Sequence, residues 1–263
     1  MRYAAIIEYN GAAYAGWQRQ LHAPSVQAQV EAAFSRVANV PVEILCAGRT
    51  DAGVHGTHQV VHFDCDAARP DRAWVLGANN HLPADIAVRW AGRVADDFHA
   101  RFSALARRYR YLIANQTMRS GLAAKSFTIV PEPLSAVLMH EAAQYFVGEQ
   151  DFSAVRAASC QALTAARNVH HVRVSRIGQY VLVDIAANAF LHHMVRNIVG
   201  VLLEVGTGRQ PPDWPRQLLQ SRDRALAAST ASAAGLHLVG VRYPLRFQMP
   251  LLPAGPWFLP DSD

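Results

Sequence analysis

The sequence predicts an α+β protein built as two similar halves, each an antiparallel sheet backed by helices. Three observations carry this reading. Hydrophobic residues fill 51% of the 263 positions and charged residues 17%, which supports a sizeable core and argues against wholesale disorder. Short β-rich runs and helical stripes are mixed in similar proportion before and after about residue 104, although no sequence repeat links the two stretches. The turn Ile177-Gly178-Gln179 separates two β-rich runs as a hairpin does.

In order along the chain, residues 2–9 alternate as a strand and end at the turn signal Asn10-Gly11. Tyr14-Ala15-Gly16-Trp17-Gln18-Arg19-Gln20 is aromatic and polar without a period, hence a loop. Ser25 is a good N-cap after Pro24, and Val26, Val30, Ala33, Phe34 and Val37 follow at helical spacing. Residues 42–47 and 58–64 read as strands joined by a glycine-rich stretch from Gly48 to Thr57. A short helix around 70–80, a strand near 86–94 and the segment Phe98-His99-Ala100-Arg101-Phe102-Ser103 close a first half, residues 1–104.

The second half, 105–263, opens with a strand at 108–114 and a helix at 134–147 with the stripe Leu134, Val137, Leu138, Tyr145 and Phe146. Strands at 168–174 and 180–186 flank the hairpin turn. Helices over 189–204 and 213–233 and a last strand at 236–243 complete the expectation.

Several function classes are excluded by composition. No apolar run reaches the roughly 18 residues of a membrane span, and the stretch from Met1 to Glu8 meets charge too early for a secretory signal. Cys46, Cys65 and Cys160 are odd in number, far apart and without a C-x-x-C pair, which fits a reducing, cytoplasmic setting rather than a disulfide or zinc framework. Net charge is +5 with a pI near 9.4, and Lys125 is the only lysine, every other cation being arginine. Such a chain attracts phosphate backbones, and arginine adds planar, bidentate contacts; an arginine-rich solvated surface has the same composition.

Four constellations could carry chemistry. Cys46-Ala47-Gly48-Arg49-Thr50-Asp51-Ala52-Gly53-Val54-His55-Gly56 packs an acid, a base and three glycines between two strands, either as a ligand-approaching loop or as an ordinary turn; it lacks the ending of a P-loop. In Arg107-Arg108-Tyr109-Arg110-Tyr111 a strand would put both tyrosines on one face and Arg108 with Arg110 on the other. That suits an unstacked base beside its backbone, or equally two core tyrosines. Arg196 stands among Met194, Val195, Ile198, Val199 and Val201, where a cation either pairs with a carboxylate or escapes along the helix edge. Histidines are numerous, twelve in all, but none forms H-E-x-x-H, and adjacent His192 and His193 would diverge if helical, so no metal is expected.

At these residues the chain resembles the tRNA pseudouridine synthase A (TruA) family. Gly48-Arg49-Thr50-Asp51-Ala52-Gly53-Val54-His55 is similar to the family's signature loop. The loop Gly16-Trp17-Gln18-x-Gln20, Asn79 with Leu82-Pro83-x-Asp85-Ile86, and the Phe98–Ser103 segment fall in the family's order. So do Arg108–Tyr111, Gly148-Glu149-x-Asp151-Phe152, the run from Phe190 to Gly200, and Gly235-Leu236-x-Leu238. Asn10, where many members carry Asp, and Cys65-Asp66-Ala67-Ala68 depart from the pattern.

The resemblance implies a pseudouridine synthase fold with a cleft between the halves. It also implies isomerisation of uridines 38, 39 and 40 in the tRNA anticodon arm by a homodimer, without a cofactor. By the same resemblance Asp51 is the catalytic carboxylate, Arg196 its partner, Tyr109 the ring that stacks on the target base, and Arg49 the side chain that takes the everted nucleotide's place. Two rival classes remain: an RNA-binding protein of the same fold, which has no use for a carboxylate facing an anionic ligand, and a metal-dependent hydrolase acting through the histidines.

Overall fold

The computed structural model describes residues 1–67, 69–121 and 125–256. In chain order its elements are β1 (Arg2–Tyr9), α1 (Val26–Ala38), β2 (Leu45–Cys46), β3 (His55–Asp64), β4 (Ile86–Arg93), β5 (Ala106–Asn115), β6 (Thr128–Val130), α2 (Ala136–Ala143), β7 (Gly148–Asp151), β8 (Ala166–Ile177), β9 (Tyr180–Ala187), α3 (Met194–Gly206), α4 (Trp214–Ser221) and β10 (Leu236–Arg242). Among the described residues no helix is long and apolar enough to cross a membrane.

The chain divides into two compact units, Met1–Leu105 with the chain from His237 onward, and Ala106–Leu236. In the first, β1 pairs antiparallel with β3, from Arg2↔Asp64 to Tyr9↔Gly56, and with β4 on its other edge. β2 adds Leu45↔His62 antiparallel to β3, and β10 joins β3 in parallel through His237↔His55 and Leu238↔Gly56. Alternation along β1 supplies two cores. Tyr3, Ala5, Ile7 and Tyr9 pack with Val26, Val30 and Phe34 of α1, while Ala4 and Ile6 pack with Phe98, Ala100, Tyr243 and Phe247. Phe34 sits between Phe63 and Trp74, ring centroids at 4.8 and 5.9 Å, and its burial is worth about 3 kcal/mol.

The expected division after residue 104 assigned the last strand to the second half. Instead the chain comes back: β10 pairs with β3, and the Tyr243 hydroxyl donates to the Ala100 carbonyl at 2.6 Å across 143 residues of sequence. A pairing that distant leaves no local trace. Residues 257–263 lie outside the described residues.

In the second unit β9 pairs antiparallel with β5, Tyr109↔Ile185 among others, and with β8, which carries β7 on its far edge. β6 lies parallel to β5 through Ile113↔Thr128. Helix α2 packs on β8 and α3. Antiparallel pairing thus dominates each unit, with one parallel pair added to each.

Several elements are shorter than their patterns suggest, one because side chains take its amides and two because the backbone turns left-handed. The run 42–47 yields only β2 because Val42 N–H donates to Ser35 Oγ (2.9 Å) and Ile44 N–H to Glu31 Oε1 (3.1 Å), leaving neither for a ladder. The helix expected over 189–204 begins at Met194, since His193 holds φ 60°. The one expected over 213–233 stops at Ser221, where Arg222 turns left-handed (φ 54°). α2 is capped by Ser135 and gives way to a 3₁₀ turn at Gln144–Phe146; Val137, placed in its apolar stripe, is 77% exposed, and Met139, Ala142 and Ala143 are the buried face.

Candidate active site

Asp51 stands half-buried on the loop between β2 and β3, two residues beyond exposed Arg49. The loop is held by its backbone. Gln59 Nε2 donates to Gly48 O at 2.6 Å, Trp17 N–H to Thr50 O at 3.0 Å, and Val54 N–H to Asp51 O at 3.1 Å. Thr50 Oγ1 meets the Tyr9 hydroxyl at 2.8 Å, and His55 Nδ1 accepts from Gly11 N–H at 3.1 Å. Two glycines make the packing feasible. Gly53 adopts φ 77°, which costs other residues roughly 1 kcal/mol or more. A Cβ on Gly16 (φ 104°) would come within 2.8 Å of the Thr50 carbonyl. Gly48, by contrast, has open space and an ordinary φ, so the expected need for glycine does not extend to it.

These restraints serve position, because they fix the loop backbone and the buried Thr50 and His55 around Asp51. Trp17 and the Thr50–Tyr9 pair are the positioning residues. Trp17 and Thr50 fall in segments that carry the resemblance, whereas Tyr9, the last residue of β1, has no signal of its own in the sequence.

Tyr109 and Arg196 lie in the second unit. Tyr109 on β5 is 8% exposed, and its ring meets Phe190 edge-on, centroids 5.2 Å apart at 90°. Tyr111, on the same strand face, is core: its hydroxyl meets Thr128 Oγ1 at 2.5 Å and donates to Ser232 O at 2.8 Å. Burial pushes the Tyr111 hydroxyl up to about 12, opposed by the Thr128 bond and the charge of Arg196. Arg196, on the first turn of α3, donates from Nε to Ala231 O at 2.8 Å, while its carbonyl accepts from Ala231 N–H at 3.2 Å. It is half-buried, its backbone and side chain both tied to one loop. Asn197 beside it is fully buried and tethers Val155, Arg224 and Thr230, a hub that the polar residue on an apolar helix could have announced.

The cationic face of β5 differs from expectation. Arg108 bridges Asp184 with both Nε (2.8 Å) and Nη2 (2.6 Å), Arg110 adds Nε at 2.9 Å, and His171 Nε2 completes the cluster at 2.8 Å. Arg110 is 1% exposed. Burial would raise the Asp184 carboxyl, but its bonds to His171, Arg108 and Arg110 win and hold it below the usual carboxylate range. These arginines brace the sheet through Asp184, and Arg110 is closed to any phosphate.

His192 and His193 precede α3 rather than lie in it, and their rings sit 4.0 Å apart, so divergence along a helix does not separate them. Ser159 Oγ engages His192 Nδ1 at 3.1 Å.

Comparison with known proteins gives a consistent result. A family model described as tRNA pseudouridine synthase matches residues 5–103 and 142–244. A relative from Actinobacillus succinogenes is 58% identical over 100% of this chain and 99% of its own length. Another, from Vibrio parahaemolyticus, is 57% identical over 100% and 99%, and one from Salmonella paratyphi B 60% over 97% and 94%. All three bear the name tRNA pseudouridine synthase A.

Proposed function

The chain belongs to the tRNA pseudouridine synthase family, and from that premise we propose that it isomerises uridine to pseudouridine at positions 38, 39 and 40 of the tRNA anticodon arm. The observation that supports this best is the Asp51 loop, where anchored backbone presents a carboxylate beside exposed Arg49. The reaction breaks the N1–C1′ bond, turns the uracil, joins C5 to C1′, releases the C5 proton to solvent and returns a proton from solvent to N1. Product and substrate are isomers, so no redox partner or group donor takes part.

Asp51 acts on the sugar, either as nucleophile at C1′ or as base toward a sugar proton, and both roles use the ionised carboxylate. Arg196 is its partner, Tyr109 stacks on the flipped base, and Arg49 fills the gap the uridine leaves. Eversion costs a few kcal/mol, and stacking returns roughly 1–3 kcal/mol. Recognition by shape and phosphate contacts suits three neighbouring target positions better than a base code does. A cytoplasmic homodimer binding the anticodon arm across both subunits belongs to the same reading, as does the absence of a metal.

Tritium release from C5-labelled uridine in unmodified tRNA, run with EDTA at fixed ionic strength, tests the proposal. The parent should turn over, and Asp51→Asn should bind tRNA but release no tritium. Residual release within tenfold of the parent would remove Asp51 from the chemistry. Tritium release lost to EDTA and restored by zinc specifically would overturn the metal-independent reading, with His192 and His193 as the first residues to substitute. Arg49→Ala should recover much of its lost rate on a tRNA mismatched opposite position 39, where unstacking costs less. Equal impairment on paired and mismatched tRNA would make Arg49 a phosphate clamp instead.

A further inference from the structure

The segment Phe98–Ser103 has no task in that scheme, yet it is built with unusual care. Phe98 and Ala100 are fully buried, and Ala100 is gripped twice, its N–H by His62 Nδ1 at 3.1 Å and its carbonyl by the Tyr243 hydroxyl at 2.6 Å. The next residues fold back on His99: its Nδ1 accepts from both Arg101 N–H (3.1 Å) and Phe102 N–H (3.2 Å), and its own N–H donates to Ser103 Oγ (3.0 Å). His99 is in turn backed by His62, rings 4.6 Å apart.

What this braced turn presents is Phe102, 75% exposed, its ring 4.4 Å from that of His99 and the Arg101 guanidinium 5.5 Å from its centroid. With three quarters of its surface in water, the ring buries little apolar area for the fold. Its surroundings say what it could meet. The turn is tied through Ala100 to His62 of β3, which stands opposite Leu45 of β2, the strand that leads into the Asp51 loop. The charges of Arg49 and Arg101 both act on the neighbouring Cys46 thiol, which burial pushes up to about 11.

We infer that Phe102 and Arg101 form a second RNA-binding point beside the Asp51 loop, Phe102 stacking on an unpaired base and Arg101 contacting a phosphate. This rests on the reading of the substrate as RNA and extends it to residues that take no part in the isomerisation. A protein partner would also cover an exposed phenylalanine, but the adjacent cations favour a polyanion, whose unpaired bases stack on such a ring.

Binding of an unmodified tRNA transcript to the full-length protein, measured apart from turnover, tests the inference. Phe102→Ala should weaken binding by roughly 5- to 150-fold, the range of one lost base stack. Phe102→Tyr and Phe102→Trp should restore it, whereas Phe102→Leu, which keeps apolar area without a π face, should not. The indole introduced by Phe102→Trp should lose fluorescence when tRNA is added, against the parent's five tryptophans as background. Arg101→Ala should lower the slope of log affinity against log salt by about one.

Parent-like affinity in Phe102→Ala, or in Phe102→Leu, overturns the stacking assignment. A parent that binds tRNA tightly but releases no tritium would refute the isomerase reading and leave this one standing. A parent that does not bind tRNA would refute both.

Discussion

Two arginine-and-aromatic segments invite comparison, one in each unit. Arg108-Tyr109-Arg110-Tyr111 lies on β5, where Arg110 and Tyr111 are buried and both arginines converge on Asp184. Arg101-Phe102 lies on a turn, where the ring is open to solvent and the guanidinium rests near it. By sequence the first is the better nucleic-acid motif, with alternation that sorts rings from cations. By structure it is a brace, and the second is the exposed surface. Alternation on a strand separates two faces but does not say which face meets water. That is decided by the partner strand, here by Asp184 facing Arg110 in the β5–β9 register.

The largest expected effect comes from breaking the brace. Asp184→Ala would leave Arg110 buried without its carboxylate, and removing one partner of a buried pair costs about 3–5 kcal/mol. Urea unfolding should show that loss, with Arg101→Ala unchanged in parallel. If Asp184→Ala is as stable as the parent, the cluster is not structural and the contrast between the segments collapses.

Acid sharpens the comparison next. His58 and His62 in β3 are pushed down to about 4, chiefly by burial. An unfolded histidine takes up its proton near 6.5, so between about pH 6.5 and 4 the unfolded chain binds more protons. Stability is therefore full above that window and falls through it, by up to about 2 kcal/mol per histidine at pH 5. Asp184 is shifted downward, so its contribution holds until the pH drops below the ordinary carboxylate range near 3.9. Amide exchange at pH 5 should thus speed up in β3 before β5 and β9. Simultaneous loosening of all three would mean that the histidines do not set the acid response.

The same contrast shows what could be read in advance. The α+β class, α1 with its Ser25 cap, and the β8–β9 hairpin follow from local periodicity, and the signature loop is legible by resemblance. What escapes is non-local or carried by side chains. β10 returns to β3 from the far end of the chain, and Glu31 and Ser35 take the amides that would have lengthened β2. At the site, Asp51 and Arg49 are readable as residues, but the Tyr9–Thr50 contact and the Trp17 N–H that hold the loop come from β1 and from a stretch without a period. Phe102 belongs to a recognisable run of residues, and only its exposure marks it for a task.

A smaller effect tests whether Tyr111 is core rather than a second base platform. Tyr111→Phe removes the hydroxyl that meets Thr128 and Ser232 and keeps the ring. Stability should fall by about 1 kcal/mol with tRNA affinity unchanged. Loss of affinity at constant stability would make Tyr111 a second base platform beside Tyr109.

The smallest expected effect on stability is also the most discriminating. Phe102→Ala deletes an aromatic ring, which from a core costs about 3–5 kcal/mol. At 75% exposure the ring has little buried surface to give up, and the turn's hydrogen bonds run through the backbone and His99, which the substitution leaves in place. Unfolding free energy should change by no more than about 0.5 kcal/mol, as for ordinary surface positions. A loss above about 2 kcal/mol, well outside that surface range, would show that Phe102 packs against His99 and Arg101 as a small core of its own. Arg101-Phe102 would then be a brace like Arg108–Tyr111, and the difference between the two segments would be one of degree.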